Sequence, residues 1–244
     1  MNDDFLMLAL DTSQTQGSVA VARGEKVLCE ILFDASDTHS ATLMPAVDIC
    51  MRTAGAVTDD LDAFAVVTGP GSFTGLRIGL ATVKAFAAVR RRPVFSASSL
   101  EVLASAFPFA GPPVLPLLDA RRGEVYAALY DVSSGSPVEL EGPRDVKPGD
   151  TGRLVDSRSA GGAVILCGSG AARYRDILSA SLGERCLFAG SAWSLPSAAL
   201  LAMLVRGRRP VAYVDLAGLE PLYIRPPDAK IPAGMKLREG GGGG

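Results

Sequence analysis

Residues 66–79 read VVTGPGSFTGLRIG, and this segment limits the possible folds more than any other. An apolar run, Phe64 to Val67, meets a turn made of Gly69, Pro70, Gly71, Ser72 and Phe73, and a helix-compatible stretch starts near Thr74. Gly69 and Gly71 can take backbone angles closed to side chains, and Pro70 fixes one dihedral. The pattern predicts a strand that turns sharply into a helix. Such a junction can aim several free amide N–H groups at one point and attract an anion. The loop holds no lysine, so it is not the G-x-x-x-x-G-K-[ST] nucleotide loop, and it lacks G-x-G-x-x-G spacing. Two readings stand at this point: an anion or partner site, or a purely structural turn.

The rest of the composition narrows the class. The chain has 244 residues, 48% of them hydrophobic, with a formal net charge of −2. That supports one large domain or two small ones, each with its own core. No segment looks like a basic nucleic-acid tail, and Arg90-Arg91-Arg92 suits a helix C-terminus, where cations favour the dipole. Tight binding of nucleic acid by this chain alone is not expected. Cys29, Cys50, Cys167 and Cys186 form no C-x-x-C pair and His39 is the sole histidine, so no zinc site is expected. No signal-peptide pattern or membrane-length apolar window is present, and a cytoplasmic, reducing location is expected.

Strands are expected at 5–10, 18–22 and 27–33, joined by short turns as in an antiparallel meander. A helix follows at 40–54, with Leu43, Val47, Cys50 and Ala54 on one face. Next come a strand at 63–68, a helix at 74–89, a strand at 93–97 and a helix from Ser98, whose S-x-x-E is a capping box. The order βββαβαβα predicts a mixed five-stranded sheet with helices on it. Ala110-Gly111-Pro112-Pro113 is the expected boundary. Beyond it, strands at 114–118 and 124–130, an irregular stretch at 131–161, a strand at 163–167 and helices near 171–181 and 194–206 make a weaker copy of the first half. Both halves open on an apolar strand ending in Asp, Asp11 and Asp119, followed by a hairpin. This predicts an α/β chain with the duplicated actin-like (ASKHA, ribonuclease H-like) fold. Its expected divisions are an N-terminal subdomain at 1–109, a degenerate C-terminal one at 110–232 and a flexible tail at 233–244.

Six segments, in order, resemble the TsaB (YeaZ) family: LALDTSQTQGSVAV at 8–21, THSATLMPAVD at 38–48, DLDAFAVVTGPGSFTGLRIGLATVKAFA at 60–87, SASSLEVLA at 96–104, DARRGEVYAALY at 119–130 and PLYIR at 221–225. The resemblance implies a bacterial partner subunit of TsaD in making N6-threonylcarbamoyladenosine on tRNA. It implies no catalysis by this chain, ATP and metal held at the partner, a TsaE-like ATPase as third member, a homodimer when alone, and tRNA met only indirectly. TsaD-type sequences carry a His-x-x-x-His metal pair, and the matching positions here are Ser99 and Leu103, which cannot replace it. The alternatives are a stand-alone actin-like ATPase or phosphotransferase, and a peptidase.

Asp11 either acts on phosphate through a metal ion, as in actin-like ATPases, or caps its own turn. Asp119 is its counterpart, but Arg121 and Arg122 follow it in place of a Gly-rich phosphate turn. Arg77 either holds an anion near the Gly-rich turn or makes a structural ion pair with Asp11 or an acidic residue near the turn. Asp11, Thr12, Gly71, Ser72, Thr74 and Arg77 are thus the candidate anion contacts. The helices at 40–54 and 74–89 are too apolar for one narrow stripe, which leaves core or interface as readings. The family resemblance favours the interface, with His39, Leu43, Met44, Val47, Met51, Leu76, Leu80 and Val83 as partner contacts. Tyr223 and Arg225 are expected to dock a C-terminal segment that crosses back over the body.

Overall fold

The computed structural model describes residues 4–34, 39–157, 161–195 and 197–225, apart from the side chains of His39 and Ser40. The expected tail at 233–244 lies outside the described residues. Strand β1 (Leu6–Asp11) pairs antiparallel with β2 (Gln16–Arg23), and β2 with β3 (Lys26–Asp34). Helix α1 (His39–Thr53) leads to β4 (Ala63–Gly69), α2 (Phe73–Arg90), β5 (Val94–Ser98) and α3 (Ser99–Ala104). Strand β4 runs parallel to β1 and β5 parallel to β4, which gives the sheet order β3-β2-β1-β4-β5.

The second half repeats that plan. It contains β6 (Val114–Asp119), β7 (Val125–Asp131), β8 (Val138–Val146), α4 (Gly152–Asp156), β9 (Val164–Cys167), α5 (Ser169–Arg173), α6 (Arg175–Leu182), β10 (Cys186–Phe188) and α7 (Ala198–Leu204). Its sheet order is β10-β9-β6-β7-β8, with β6–β7 and β7–β8 antiparallel and β6–β9 and β9–β10 parallel. Read from the other edge, this is the first sheet again, strand for strand. Two such sheets in one chain are the duplicated actin-like fold. The second copy is reduced: where α2 runs 18 residues, α5 and α6 divide at Tyr174, and β10 has three residues.

Alternation along the strands decides what each face packs against. On the first sheet Leu6, Leu8, Leu10, Val19, Val21, Phe64 and Val66 face α1 and α2. The opposite face is mostly small, with Ala9, Ala20, Ala22, Ala63 and Ala65, and receives α7 through Ala198, Leu201, Ala202 and Val205. On the second sheet Leu115, Leu117, Leu129 and Leu166 pack on α4 to α6, and Val114, Leu118 and Tyr130 pack on α3. Helices α3 and α7 therefore form a middle layer between the sheets.

Three expectations are corrected. The stretch 131–161 is not irregular throughout: β8 and α4 lie within it. Strand β8 is an edge strand with register shifts against β7, so Gly142 and Pro143 are tolerated in it and its composition mimics a loop. The helix near 194–206 begins only at Ala198, where the Ser197 side chain accepts from the Leu200 amide. The chain from Ala198 onward also leaves the second half. After α7 packs on the first sheet, Val211 bridges Val94, and Leu216 and Leu219 join the α1–α2 core.

Candidate functional site

The Gly-rich turn is a tightly closed junction. Gly69 has φ +117 and is joined to Pro70 by a cis peptide. Ser72 caps α2, its hydroxyl accepting from the Gly75 amide at 3.2 Å, while the Ser72 amide donates to the Ser13 carbonyl at 2.7 Å. The β1–β2 hairpin lies directly against this turn. A Cβ on Gly79 would stand 2.2 Å from Thr12 Oγ1, which itself donates to the Gly75 carbonyl at 2.8 Å. The helix can approach the hairpin only because Gly79 has no side chain.

Asp11 is 2% exposed at the end of β1. Burial pushes its carboxyl above the usual aspartate range, and the hydrogen bond from Ser13 pulls the other way. Its Oδ1 accepts the Ser13 amide at 2.9 Å, so the turn-capping role is the one the structure holds. Among the described residues Ser13 Oγ is buried with no partner in hydrogen-bond geometry, so the bond from Ser13 that holds Asp11 is the one from its amide.

Of the anion candidates, Asp11, Thr12, Gly71 and Ser72 meet at one place. The amides of Ser72 and Gly75 are already engaged there, however, and Thr74 is exposed. Arg77 is a correction. Its guanidinium stands 3.8 Å over the Phe73 ring and its Nε donates to the Tyr223 hydroxyl at 3.0 Å, not to Asp11. The Phe73 contact is an i,i+4 pair within α2, and Tyr223 arrives from the C-terminal segment.

The partner contacts also shift. Leu43, Val47, Met51, Leu76, Leu80 and Val83 are all buried, five of them among the residues that hold α1 and α2 on the first sheet. The most apolar helical positions form the core stripe, so they cannot also meet another subunit. Met44 is 46% exposed and stays a surface residue; the His39 side chain lies outside the described residues. The outer surface is offered instead by Met44, Ile49, Phe73 and Val89, with Ala81, Ala85 and Ala88 exposed along α2. Helical periodicity could have found them, since they lie just outside the stripe marked by Leu43, Val47 and Cys50 and by Leu76, Leu80 and Val83.

The corresponding corner of the second half is built differently. Asp119 Oδ1 accepts the Arg121 amide at 3.0 Å, which repeats the Asp11–Ser13 bond. Its Oδ2 receives Arg173 at 3.0 Å, and the Tyr174 hydroxyl donates to Oδ1 at 3.2 Å. Neither strand-end carboxylate is free to take a metal-bound phosphate: one is buried in its turn and the other is held by Arg173. Among the described residues no three His, Cys, Asp or Glu side chains are grouped to hold a metal ion. Ser99 and Leu103 are buried on α3; Ser99 donates to the Pro70 carbonyl at 2.5 Å, and Leu103 packs between the halves near Gly168.

Residues 222–225 bind the halves together, as expected for Tyr223 and Arg225. The Leu222 amide donates to the Thr68 carbonyl at 2.8 Å, and Tyr223 stacks on Phe73 with centroids 5.3 Å apart. Arg225 pairs with Glu124 and with Asp145 on the second half.

The family model described as TsaD, tRNA N6-adenosine threonylcarbamoyltransferase, matches residues 33–231. The TsaB protein of Bacillus subtilis is 29% identical over 224 residues, 92% of this chain and 96% of that one. The chain belongs to the TsaB (YeaZ) family. Solved structures from Pseudomonas aeruginosa agree. YeaZ from that organism is 28% identical with a TM-score of 0.74, covering 90% of this chain and 99% of that one. A second protein, described as having similarity to peptidase YeaZ, is 26% identical with a TM-score of 0.77, covering 91% and 100%. Among the described residues no helix of this TsaB-family chain is long and apolar enough to cross a membrane.

Proposed function

We propose that this chain is a non-catalytic, cytoplasmic subunit in tRNA threonylcarbamoyladenosine biosynthesis, one that pairs with a TsaD-type transferase through the outer face of α1 and α2. The observation that carries this reading is the state of α3. Where TsaD-type sequences place two metal-binding histidines, Ser99 is tied to the Pro70 carbonyl and Leu103 fills core space. A metal-assisted transfer has no ligands there. ATP and metal then belong to the partner, a TsaE-like ATPase completes the assembly, and the chain pairs with itself when the partner is absent. The Bacillus subtilis relative, named for the same biosynthesis, supports the pathway.

The test is a pull-down against a TsaD-type subunit with ATP turnover measured in parallel. A stable complex with negligible turnover by this chain alone is expected. Robust turnover without any partner, or no complex with or without ATP, would overturn the proposal.

A further inference from the structure

Each half of the chain holds two cysteines. In the second half Cys167 packs on the α3 side of its sheet and Cys186 on the α4–α6 side, so their thiols lie on opposite faces. In the first half Cys29, on β3, and Cys50, on α1, face the same core layer. The Cys50 Sγ stands 3.5 Å from the Cys29 carbonyl oxygen and 3.7 Å from that of Val19. Burial first, and then contact with the Cys29 thiol, pushes the Cys50 thiol up to about 12. The two sulfurs are neighbours across the contact between β3 and α1.

Their surroundings differ. Cys50 is fully buried, whereas Cys29 is half-buried. Strand β3 is an edge strand, and its register slips beside Cys29: Val21 pairs with Cys29, but Ala22 pairs with Val27. Leu28 is the extra residue of that bulge. A disulfide needs its two Cβ atoms about 3.8 Å apart, and a bulged edge strand can shift locally to meet that demand.

We propose that Cys29 and Cys50 form a reversible disulfide that staples α1 to β3 under oxidising conditions. The oxidant is a peroxide. Cys29, the accessible thiol, loses its proton to water and attacks one peroxide oxygen. The O–O bond breaks, hydroxide leaves and Cys29 becomes a sulfenic acid. The Cys50 sulfur then attacks the Cys29 sulfur. The S–O bond breaks, and the departing hydroxide takes the Cys50 proton to become water. Two thiols and one hydrogen peroxide thus give one disulfide and two waters. The bond spans 21 positions of sequence, removes freedom from the unfolded chain and so makes the oxidised fold the more stable. A thiol reductant reopens it. The exposed Met44 and Ile49 of α1 take no part in the bond, and the pair does not depend on the partner role above.

The experiment exposes the folded full chain to hydrogen peroxide at low protein concentration. Remaining thiols are then alkylated, and the digested chain is mapped by mass spectrometry, with circular dichroism recorded before and after oxidation. A peptide cross-linked between Cys29 and Cys50 is expected, with two of the four thiols still free. The spectrum should not change, and the thermal midpoint should rise by about 5 °C and return with dithiothreitol. Cys29→Ser should show neither the cross-link nor the rise. Four free thiols after oxidation, a cross-link formed only in urea, or one that joins other cysteines or two chains would overturn the pair.

Discussion

Gly71 lies so close to Ser13 that a Cβ on the glycine would stand 2.0 Å from the Ser13 carbonyl oxygen. That oxygen accepts from the Ser72 amide, so it cannot retreat without losing the bond that fixes the start of α2. Gly71→Ala should therefore destabilise the fold by about 1–3 kcal/mol, the range for overpacking a close contact. Urea denaturation followed by circular dichroism measures it; an unchanged midpoint would contradict the described approach.

Gly79 and Thr12 should behave as a coupled pair. Gly79→Ala drives a methyl toward Thr12 Oγ1, whereas Thr12→Ala removes that oxygen and its bond to the Gly75 carbonyl. The double variant should be more stable than the sum of the singles by about 0.5–3 kcal/mol. Additive losses would mean that helix and hairpin do not press on one another there.

The α1 and α2 faces separate core from surface. Val47→Arg and Val83→Arg place a charge at positions 3% and 0% exposed and should unfold the chain. Ile49→Arg and Val89→Arg, at 47% and 76% exposure, should stay within about 0.5 kcal/mol of wild type in stability while weakening capture by a TsaD-type subunit. Equal capture by both surface variants would move the partner contact off these two residues.

Asp11 has a folded pKa raised by burial above its unfolded value. The folded chain then holds the Asp11 proton more tightly than the unfolded chain. This favours folding below the unfolded pKa of about 3.9 and is lost as pH rises through the folded pKa. Asp11→Asn keeps an acceptor for the Ser13 amide without the buried charge. Its stability should equal or exceed wild type at pH 7, and the difference should shrink or reverse toward pH 4. A variant that is markedly less stable at pH 7 would show that the charge itself is needed.

Glu30 ties the edge strand β3 to α7. Its Oε1 accepts from the hydroxyls of Ser18 and Ser197 at 2.8 and 2.9 Å and from the Ala199 amide at 3.1 Å. Glu30→Ala should cost about 1–3 kcal/mol by leaving these donors without their acceptor. Hydrogen exchange should show the loss first at α7.

The strands of the first half were legible because Leu8, Val19 and Phe64 sit in clean apolar runs with turn residues between them. The Asp-and-hairpin opening of both halves revealed the duplication. Strand β8 was hidden by Gly142 and Pro143, which only an edge position allows. The site was harder to read. Arg77 has no local signal that it would meet Tyr223, a residue 146 positions later. Val47 and Val83 looked suited to an interface because hydrophobicity marks both core and contact, and only the packing on the sheet separates the two.

The return of α7 to the alanine-lined face of the first sheet has a consequence for synthesis. A ribosome finishes all five strands of that sheet about a hundred residues before it makes the helix that covers one side of it. Until residues 198–205 emerge, Ala9, Ala20 and Val67 face water or a temporary guest. Neither half can then mature as a separate module, and the nascent first half is the stage at which a chaperone has most to shield.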